Sequence, residues 1–252
     1  MFKHSFQPLL KSMLLLSALV IPSTALATKV VFDTSEGSIE VNLFDNGTPK
    51  TVENFLAYVN DGAYNDSVIH RSVTGFITQG GGFSFNGSIS LNKLTTKPSV
   101  VNEPIYSNRR GTIAMAKLGS QPNSATNQWF FNLDNNQANL DVQNGGFTVF
   151  GQVVEGIDIV DNIAAISLCN STPMPDYNCG SGDVPGVDNF VTIYSITISD
   201  TSTNTASNLT PIENTLIDKD GNNSSTGNSG GSTNLYTLFA LGLLIVSRRT
   251  VN

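Results

Sequence analysis

The chain has few of the residues on which most side-chain catalysis depends. Its 252 residues include two histidines, two cysteines and one tryptophan, and only 13% of them are charged. The 13 lysines and arginines are outnumbered by 20 acidic residues, which gives a formal net charge of −7. This composition gives no support for a basic nucleic-acid-binding surface, so we expect no nucleic-acid partner.

The first 27 residues have the order of a secretory signal peptide. Lys3 and Lys11 precede the apolar run MLLLSALVI, and the segment ends in the small-residue pattern Ala25-Leu26-Ala27. We expect signal peptidase to cleave after Ala27 and the mature protein to be exported. A buried helix or a membrane anchor is the alternative, but the run is shorter than the ~20 residues that span a bilayer.

Cleavage at that point would leave His70 as the sole histidine. It would also change the formal charge from −7 to −9, because Lys3 and Lys11 leave and no acidic residue does. One histidine cannot form a histidine-cluster metal site, and we expect neither a metal nor another cofactor. Any Ser-His-Asp or Cys-His catalysis would have to use His70.

The two cysteines, Cys169 and Cys179, flank the stretch NSTPMPDYN. In an exported chain, two cysteines ten residues apart favour a disulfide that closes a small loop. In the chain-entropy description such a bond stabilises the fold by roughly 2–3 kcal/mol. Two free thiols or a redox pair are the alternatives.

Residues 28–200 have the pattern of a mainly β domain. TKVVFDTSEGSIEVNLFD predicts a hairpin, short apolar runs broken by Gly, Asn and Pro continue to residue 155, and DNFVTIYSITIS predicts a last strand. GTPKTVENFLAYVNDG predicts a helix with Thr48 as N-cap and Pro49 as its first residue, and EGIDIVDNIAAI predicts a second. A sandwich or closed barrel with two helices at its ends fits this pattern.

The composition changes at about residue 201. Residues 201–229 are rich in Ser, Thr, Asn and Gly, and we predict a flexible linker. Residues 230–252 contain two glycines, an apolar run of marginal length for a membrane anchor, and two arginines that would stay on the cytoplasmic side. A terminal core helix is the alternative, and the long polar leash argues against it.

Several motifs along residues 29–199 resemble the cyclophilin family of peptidyl-prolyl cis-trans isomerases, most nearly its exported bacterial type. They are YNDSVIHRSVTGFITQGGGF, GTIAMAK, SATNQWFFNL, the pair LD, and FTVFGQVVEGIDIVDNI, in the family's order. The resemblance implies a mainly β fold, a closed eight-stranded antiparallel barrel capped by two α-helices. It also implies a monomer that acts on proline-containing segments of folding exported proteins.

The same resemblance assigns roles to residues of this sequence. Arg71, in the pair HR, stands at the position of the family's catalytic arginine. The family more often has Met where Ile77 stands and Asn where Lys117 stands. The residues that would line the substrate pocket are Phe76, Ile77, Gln79, Ala116, Lys117, Gln128, Phe130, Leu140 and Phe147.

One position departs from the family. Many members have an aromatic residue directly before the LD pair, where this chain has Asn139, and the adjacent loop is about a residue longer. In the family that aromatic affects binding of the inhibitor cyclosporin. We therefore predict weak cyclosporin sensitivity and retained isomerase activity.

Residues 230–252 resemble the GlyGly-CTERM sorting signal of Gram-negative bacteria. In proteins with that signal, a rhomboid-type membrane protease is thought to cut near the glycines, which here are Gly230 and Gly231. The resemblance implies a periplasmic or cell-surface protein that stays tethered by its C-terminal apolar segment unless that segment is cleaved.

Two other functions remain open at the level of sequence. The first is a proline-peptide binding or holdase module without useful turnover, for which Asn139 and its loop leave room. The second is a hydrolase that uses His70 with Ser72 or Asp66. A hydrolase would need a nucleophile elbow or an oxyanion loop, and the sequence shows neither.

Overall fold

The computed structural model describes residues 28–88, 90–202 and 209–217. The predicted signal peptide and the predicted sorting tail, residues 230–252, lie outside the described residues. Of the predicted linker, residues 201, 202 and 209–217 are described. Within the described parts of the chain, no helix is long and apolar enough to cross a membrane.

The described residues form one curled antiparallel sheet of eleven strands, with a separate two-stranded ribbon and three α-helices. The strands are β1 Lys29–Thr34, β2 Gly37–Leu43, β3 Ser67–Val68, β4 Arg71–Val73, β5 Ile77–Gly80, β6 Phe83–Ser84, β7 Asn92–Lys93, β8 Thr112–Met115, β9 Trp129–Asn132, β10 Val149–Glu155, β11 Leu168–Cys169, β12 Thr172–Pro173 and β13 Thr192–Asp200. The helices are α1 Pro49–Asn60, α2 Gln137–Leu140 and α3 Ile157–Ala165. The sheet order is β4-β5-β9-β8-β10-β2-β1-β13-β3-β6-β7, and β11 pairs with β12 in the ribbon.

The mainly β antiparallel architecture is confirmed, but the closed eight-stranded barrel is not. The sheet is curled and open, with β4 and β7 at its two ends. The ladder is interrupted where the chain leaves β3 and begins β4. There, the Ile69 N–H donates to Val191 O at 2.9 Å and the His70 N–H donates to Gln79 O at 3.2 Å, so adjacent residues bond to different neighbours.

Side chains alternate between the two faces of the sheet and so build two separate apolar groups. On β8 and β9, Ile113 and Phe131 belong to the main core, whereas Ala114 and Phe130 belong to a second group on the other face. We call this second group the outer cluster. Its buried members are Phe44, Ile77, Ala114, Phe130, Leu140, Phe147 and Val149, and its partly buried members are Phe76, Tyr106, Ala116 and Leu209.

Both predicted helices are present and pack on the main core. Val52 and Phe55 of α1 and Val160 and Ile163 of α3 are buried in it. Helix α1 begins at Pro49, as the sequence predicts.

The N-terminus of α1 is capped from a distant part of the chain. Thr48 occupies the N-cap position but makes no side-chain cap hydrogen bond. Instead, the carboxylate of Glu103 accepts the N–H of Thr51 at 2.9 Å and the N–H of Lys50 at 3.3 Å. A carboxylate suits this place because the first N–H groups of a helix have no partner within the helix.

The ribbon β11–β12 lies beside β4 and is held by a disulfide. Cys169 and Cys179 are bonded, with their Cα atoms 5.6 Å apart. The N–H of Ser72, in β4, donates to Ser171 O at 2.6 Å, and the hydroxyl of Thr172 donates to His70 O at 2.8 Å. The ribbon therefore covers the outer edge of β4.

Candidate active site

Arg71 lies on β4 beside two glutamine side chains. The register pairs Arg71 with Gln79 on β5, and Gln79 with Phe130 on β9. Nη1 of Arg71 donates to Oε1 of Gln79 at 3.2 Å, and Nε2 of Gln79 donates to Oε1 of Gln128 at 2.8 Å. Gln128 thus orients the side chain of Gln79, and Gln79 orients the guanidinium of Arg71.

The guanidinium of Arg71 is half-buried, and it keeps its charge. Burial lowers its pKa from the ordinary value. The ordinary pKa of a guanidinium is so high that the group remains a cation at neutral pH. A cation beside an apolar cluster is unusual because removing a charge from water is costly. It therefore points to a functional role.

The outer cluster lies on the same face of the sheet as Arg71, with Gln79 between Arg71 and Phe130 in the register. The rings of Phe130 and Phe147 meet edge to face, with centroids 5.9 Å apart. Phe130, Phe147, Ile77 and Leu140 are each exposed by 2% or less. The partly buried members of the cluster, among them Phe76 and Ala116 of the predicted set, offer its accessible apolar surface.

A short loop brings Leu140 and Phe147 together. The N–H of Phe147 donates to Leu140 O at 2.8 Å. Between them, Asn144, Gly145 and Gly146 have φ values of 52°, 73° and 71°, a run of left-handed conformations that reverses the chain. Two of these residues are glycines, which adopt such conformations without strain.

Lys117 holds this loop. Its ammonium donates to Asn144 O at 2.9 Å and to Gly146 O at 2.5 Å, and it lies 4.7 Å from the ring centre of Phe147. The side chain is 8% exposed, and burial lowers its pKa to about 8. The sequence predicts a substrate contact at this position. The structure directs the ammonium to the loop, because a buried cation needs acceptors.

A buried polar network behind the outer cluster is absent from the sequence-based set of site residues. Asn136 donates through Nδ2 to Phe76 O and to Asn132 Oδ1, both at 2.8 Å. Asn132 donates in turn to Asn108 Oδ1 at 3.2 Å, and Asn108 donates to the Asp141 carboxylate at 2.9 Å. The network ties the Phe76 turn to α2. The signal available in the sequence was a polar residue, Asn132, near the end of the apolar run NQWFFNL.

The groups that a hydrolase would use are not arranged for nucleophilic catalysis. The His70 ring packs 4.7 Å from that of Phe83, and its buried Nδ1 has no hydrogen-bond partner among the described residues. Burial lowers the pKa of His70 to about 4, and the charge of Arg71 acts in the same direction. The Ser72 hydroxyl is buried and pairs with that of Thr78 at 3.1 Å, and Asp66 is exposed.

Comparison with known proteins identifies the family. The sequence profile described as cyclophilin type peptidyl-prolyl cis-trans isomerase/CLD matches residues 29–179, more than half of the chain. The chain belongs to the cyclophilin family. It is a cyclophilin-type peptidyl-prolyl cis-trans isomerase, and its relatives carry that name at 38–42% identity.

Three bacterial relatives resemble this cyclophilin along most of their length. Peptidyl-prolyl cis-trans isomerase B of Escherichia coli is 38% identical over 177 residues, which are 68% of this chain and 99% of that protein. The isomerase of Acinetobacter baylyi is 40% identical over 61% of this chain and 81% of its own. Isomerase A of Dickeya dadantii is 42% identical over 58% and 76%.

A solved structure has the same fold. It is a cyclophilin-type isomerase of Cryptosporidium parvum, crystallised in the presence of the dipeptide Ala-Pro. The match has a TM-score of 0.52 and 23% sequence identity, and it covers 69% of this chain and 99% of that one. At 23% identity the similarity supports a shared fold and no statement about function.

Proposed function

We propose that this cyclophilin accelerates Xaa-Pro isomerisation in folding exported proteins, with Arg71 polarising the prolyl nitrogen. The observation that carries the proposal is a permanent cation at the edge of the outer cluster, held there by Gln79. A proline ring next to an amide nitrogen presents an apolar group and a developing lone pair side by side. The outer cluster offers an apolar surface for the ring, and the guanidinium of Arg71 offers a donor for the lone pair.

The chemistry needs no nucleophile. Amide resonance imposes a barrier of ~18–20 kcal/mol, which corresponds to tens to hundreds of seconds for an unassisted X-Pro bond. As the bond twists, the prolyl nitrogen regains its lone pair, and a hydrogen bond from Arg71 to that nitrogen forms only then. Such an interaction favours the transition state over both planar forms.

The required stabilisation is within reach of this site. Shortening a process of ~100 s to ~1 ms takes roughly 7 kcal/mol. A fixed charged donor in a partly dry site contributes roughly 3–4 kcal/mol by comparison with oxyanion-hole donors. Immobilising the flanks of the proline against Phe76 and Ala116 would supply the remainder.

Exchange NMR on an Xaa-Pro peptide tests this proposal. We expect Arg71→Ala to lower kcat/KM by about 100-fold to 1,000-fold, the loss typical of one preorganised donor. Arg71→Lys keeps the charge without the planar fork, and we expect an intermediate loss. The matched control is Arg110→Ala, which removes an exposed ion pair with Asp161 and should stay within about twofold of wild type. Full activity in Arg71→Ala would refute the arginine's role.

A proline-peptide binding module without turnover is the second candidate. It is favoured by one observation, the near-complete burial of Phe130 and Phe147, which leaves the accessible apolar surface to the partly buried members of the cluster. The departure at Asn139 adds to it. Peptide binding by the wild type without any enhancement of exchange would support the module over the enzyme.

Export, the tether and the monomeric state are also proposals. The sequence patterns of residues 1–27 and 230–252 support export and the tether, and the family resemblance implies the monomer. Intact-mass measurement on protein recovered from a Gram-negative periplasm should give a chain that begins at Thr28. A C-terminus near Gly230 would indicate proteolytic sorting, an intact C-terminus would indicate a retained anchor, and light scattering on the purified protein would give the oligomeric state.

A further inference from the structure

Residues 209–217, within the predicted flexible linker, pack against the domain; we call them the strap. The N–H of Ser107 donates to Ile212 O at 2.8 Å, and the N–H of Asn214 donates to Ile105 O at 2.8 Å. The side chain of Asn214 is only 9% exposed. The strap therefore extends a short antiparallel pairing onto the loop before β8.

The side chain of Asn214 reaches the loop that joins Leu140 to Phe147. Its Nδ2 donates to the main-chain carbonyl of Asp141 at 2.9 Å. Asp141 follows Leu140 directly, and its carboxylate accepts the Asn108 side chain, which also donates to Phe147 O at 3.1 Å. One strap side chain thus fixes the backbone from which both pocket residues project.

The two ends of the strap contact the same region through apolar side chains. Leu209 packs on the outer cluster, which contains Phe147. At the other end, a Cβ added to Gly146 would lie 2.6 Å from Cδ1 of Ile217 and 2.9 Å from Cβ of Pro104. Ile217 therefore closes over Gly146 as tightly as a glycine allows.

We propose that the strap positions the Leu140–Phe147 side of the proline pocket, so that residues beyond the sheet contribute to substrate affinity. This inference rests on the proposed pocket. Asn214 acts on the substrate through Leu140 and Phe147, so it is a positioning residue. Loss of the Asn214 side chain should raise KM and leave kcat nearly unchanged. The described contacts of the strap do not reach β4, so they leave the position of Arg71 as it is.

The test uses the full chain carrying Asn214→Asp, which removes the donor to Asp141 and keeps an acceptor for the Leu216 N–H. We expect KM and the separately measured peptide Kd to rise about threefold to tenfold, the change that one net hydrogen bond corresponds to. The neighbouring Thr215→Ala, at an exposed position, is the matched control and should equal wild type. Should Asn214→Asp fold poorly, Leu209→Ala loosens the other end of the strap and is measured in the same way.

The outcomes separate this inference from the proposed function. A lowered unfolding midpoint with unchanged KM and Kd in Asn214→Asp would overturn the strap's role, since a merely stabilising segment behaves in that way. Peptide affinity is measured without turnover. An effect of Asn214→Asp on Kd therefore supports the strap even if Arg71→Ala keeps its activity, a result that would count against the arginine mechanism alone.

Discussion

The buried imidazole of His70 should make the stability of this cyclophilin depend on pH between about pH 4 and pH 6.5. Its folded-state pKa is lowered to about 4 by burial, whereas a histidine in an unfolded chain has a pKa of about 6.5. Between those values the unfolded chain binds a proton that the folded protein does not. The contribution of His70 to stability is therefore fully present above about pH 6.5 and is lost as the pH falls towards 4.

The magnitude follows from the difference between the two pKa values. A difference of about 2.5 corresponds to roughly 3 kcal/mol in total, of which roughly 2.4 kcal/mol is lost between pH 7 and pH 4.5. The perturbation that isolates it is His70→Gln, because carboxylates titrate in both proteins and cancel in the difference. Cleavage of the predicted signal peptide would leave no other histidine to interfere.

Urea unfolding of wild type and His70→Gln at pH 7 and pH 4.5 measures this effect. The single tryptophan, Trp129, is fully buried and reports unfolding by its fluorescence. We expect wild type to lose about 2 kcal/mol more than the variant on acidification. Equal losses, within about 0.5 kcal/mol, would mean that His70 titrates normally and would refute the argument from burial.

Three further changes test the surroundings of the site. Lys117→Met removes the ammonium that donates to Asn144 O and Gly146 O, so that of these two carbonyls only Gly146 O keeps a donor, Asn102, and we expect titration with an Xaa-Pro peptide to show about threefold to tenfold weaker binding; unchanged affinity would contradict a role in holding the loop. Gly146→Ala places a Cβ at positive φ against Ile217, so urea unfolding should show a loss of about 1–3 kcal/mol, and wild-type stability would contradict the tight contact. Replacing both cysteines by serine should cost about 2–3 kcal/mol in the same assay, and no change would indicate a strained native bond.

Sequence patterns predicted the elements that depend on local periodicity. Pro49 begins α1 as predicted, and in the predicted β region Phe131 lies in the main core while its neighbour Phe130 lies on the other face, in the outer cluster. Both follow from the geometry of a helix turn and of a pleated strand, which neighbouring residues specify. Local sequence did not predict which side chain caps α1, because the capping carboxylate belongs to Glu103, over 50 residues away in the chain.

The parts of the site that sequence patterns missed depend on contacts between distant segments. Residues 209–217 are compositionally a linker, and their packing depends on Ile105, Ser107 and Asp141, none of which is near them in the chain. The direction of the Lys117 side chain likewise follows from the loop carbonyls that surround it. The sheet is open where two adjacent residues, Ile69 and His70, donate their N–H groups to different parts of the chain.

The ribbon beside β4 has a consequence for how the sheet can meet other extended chains. β4 is an end strand of the sheet, and an exposed end strand is a template on which an extended chain can pair. The ribbon takes that position through its bond to Ser72, and the disulfide at Cys169 keeps the ribbon in place. While the disulfide is intact, we expect the ribbon to keep an extended chain from pairing with this edge of β4, whereas its reduction should expose the edge and raise the tendency to aggregate.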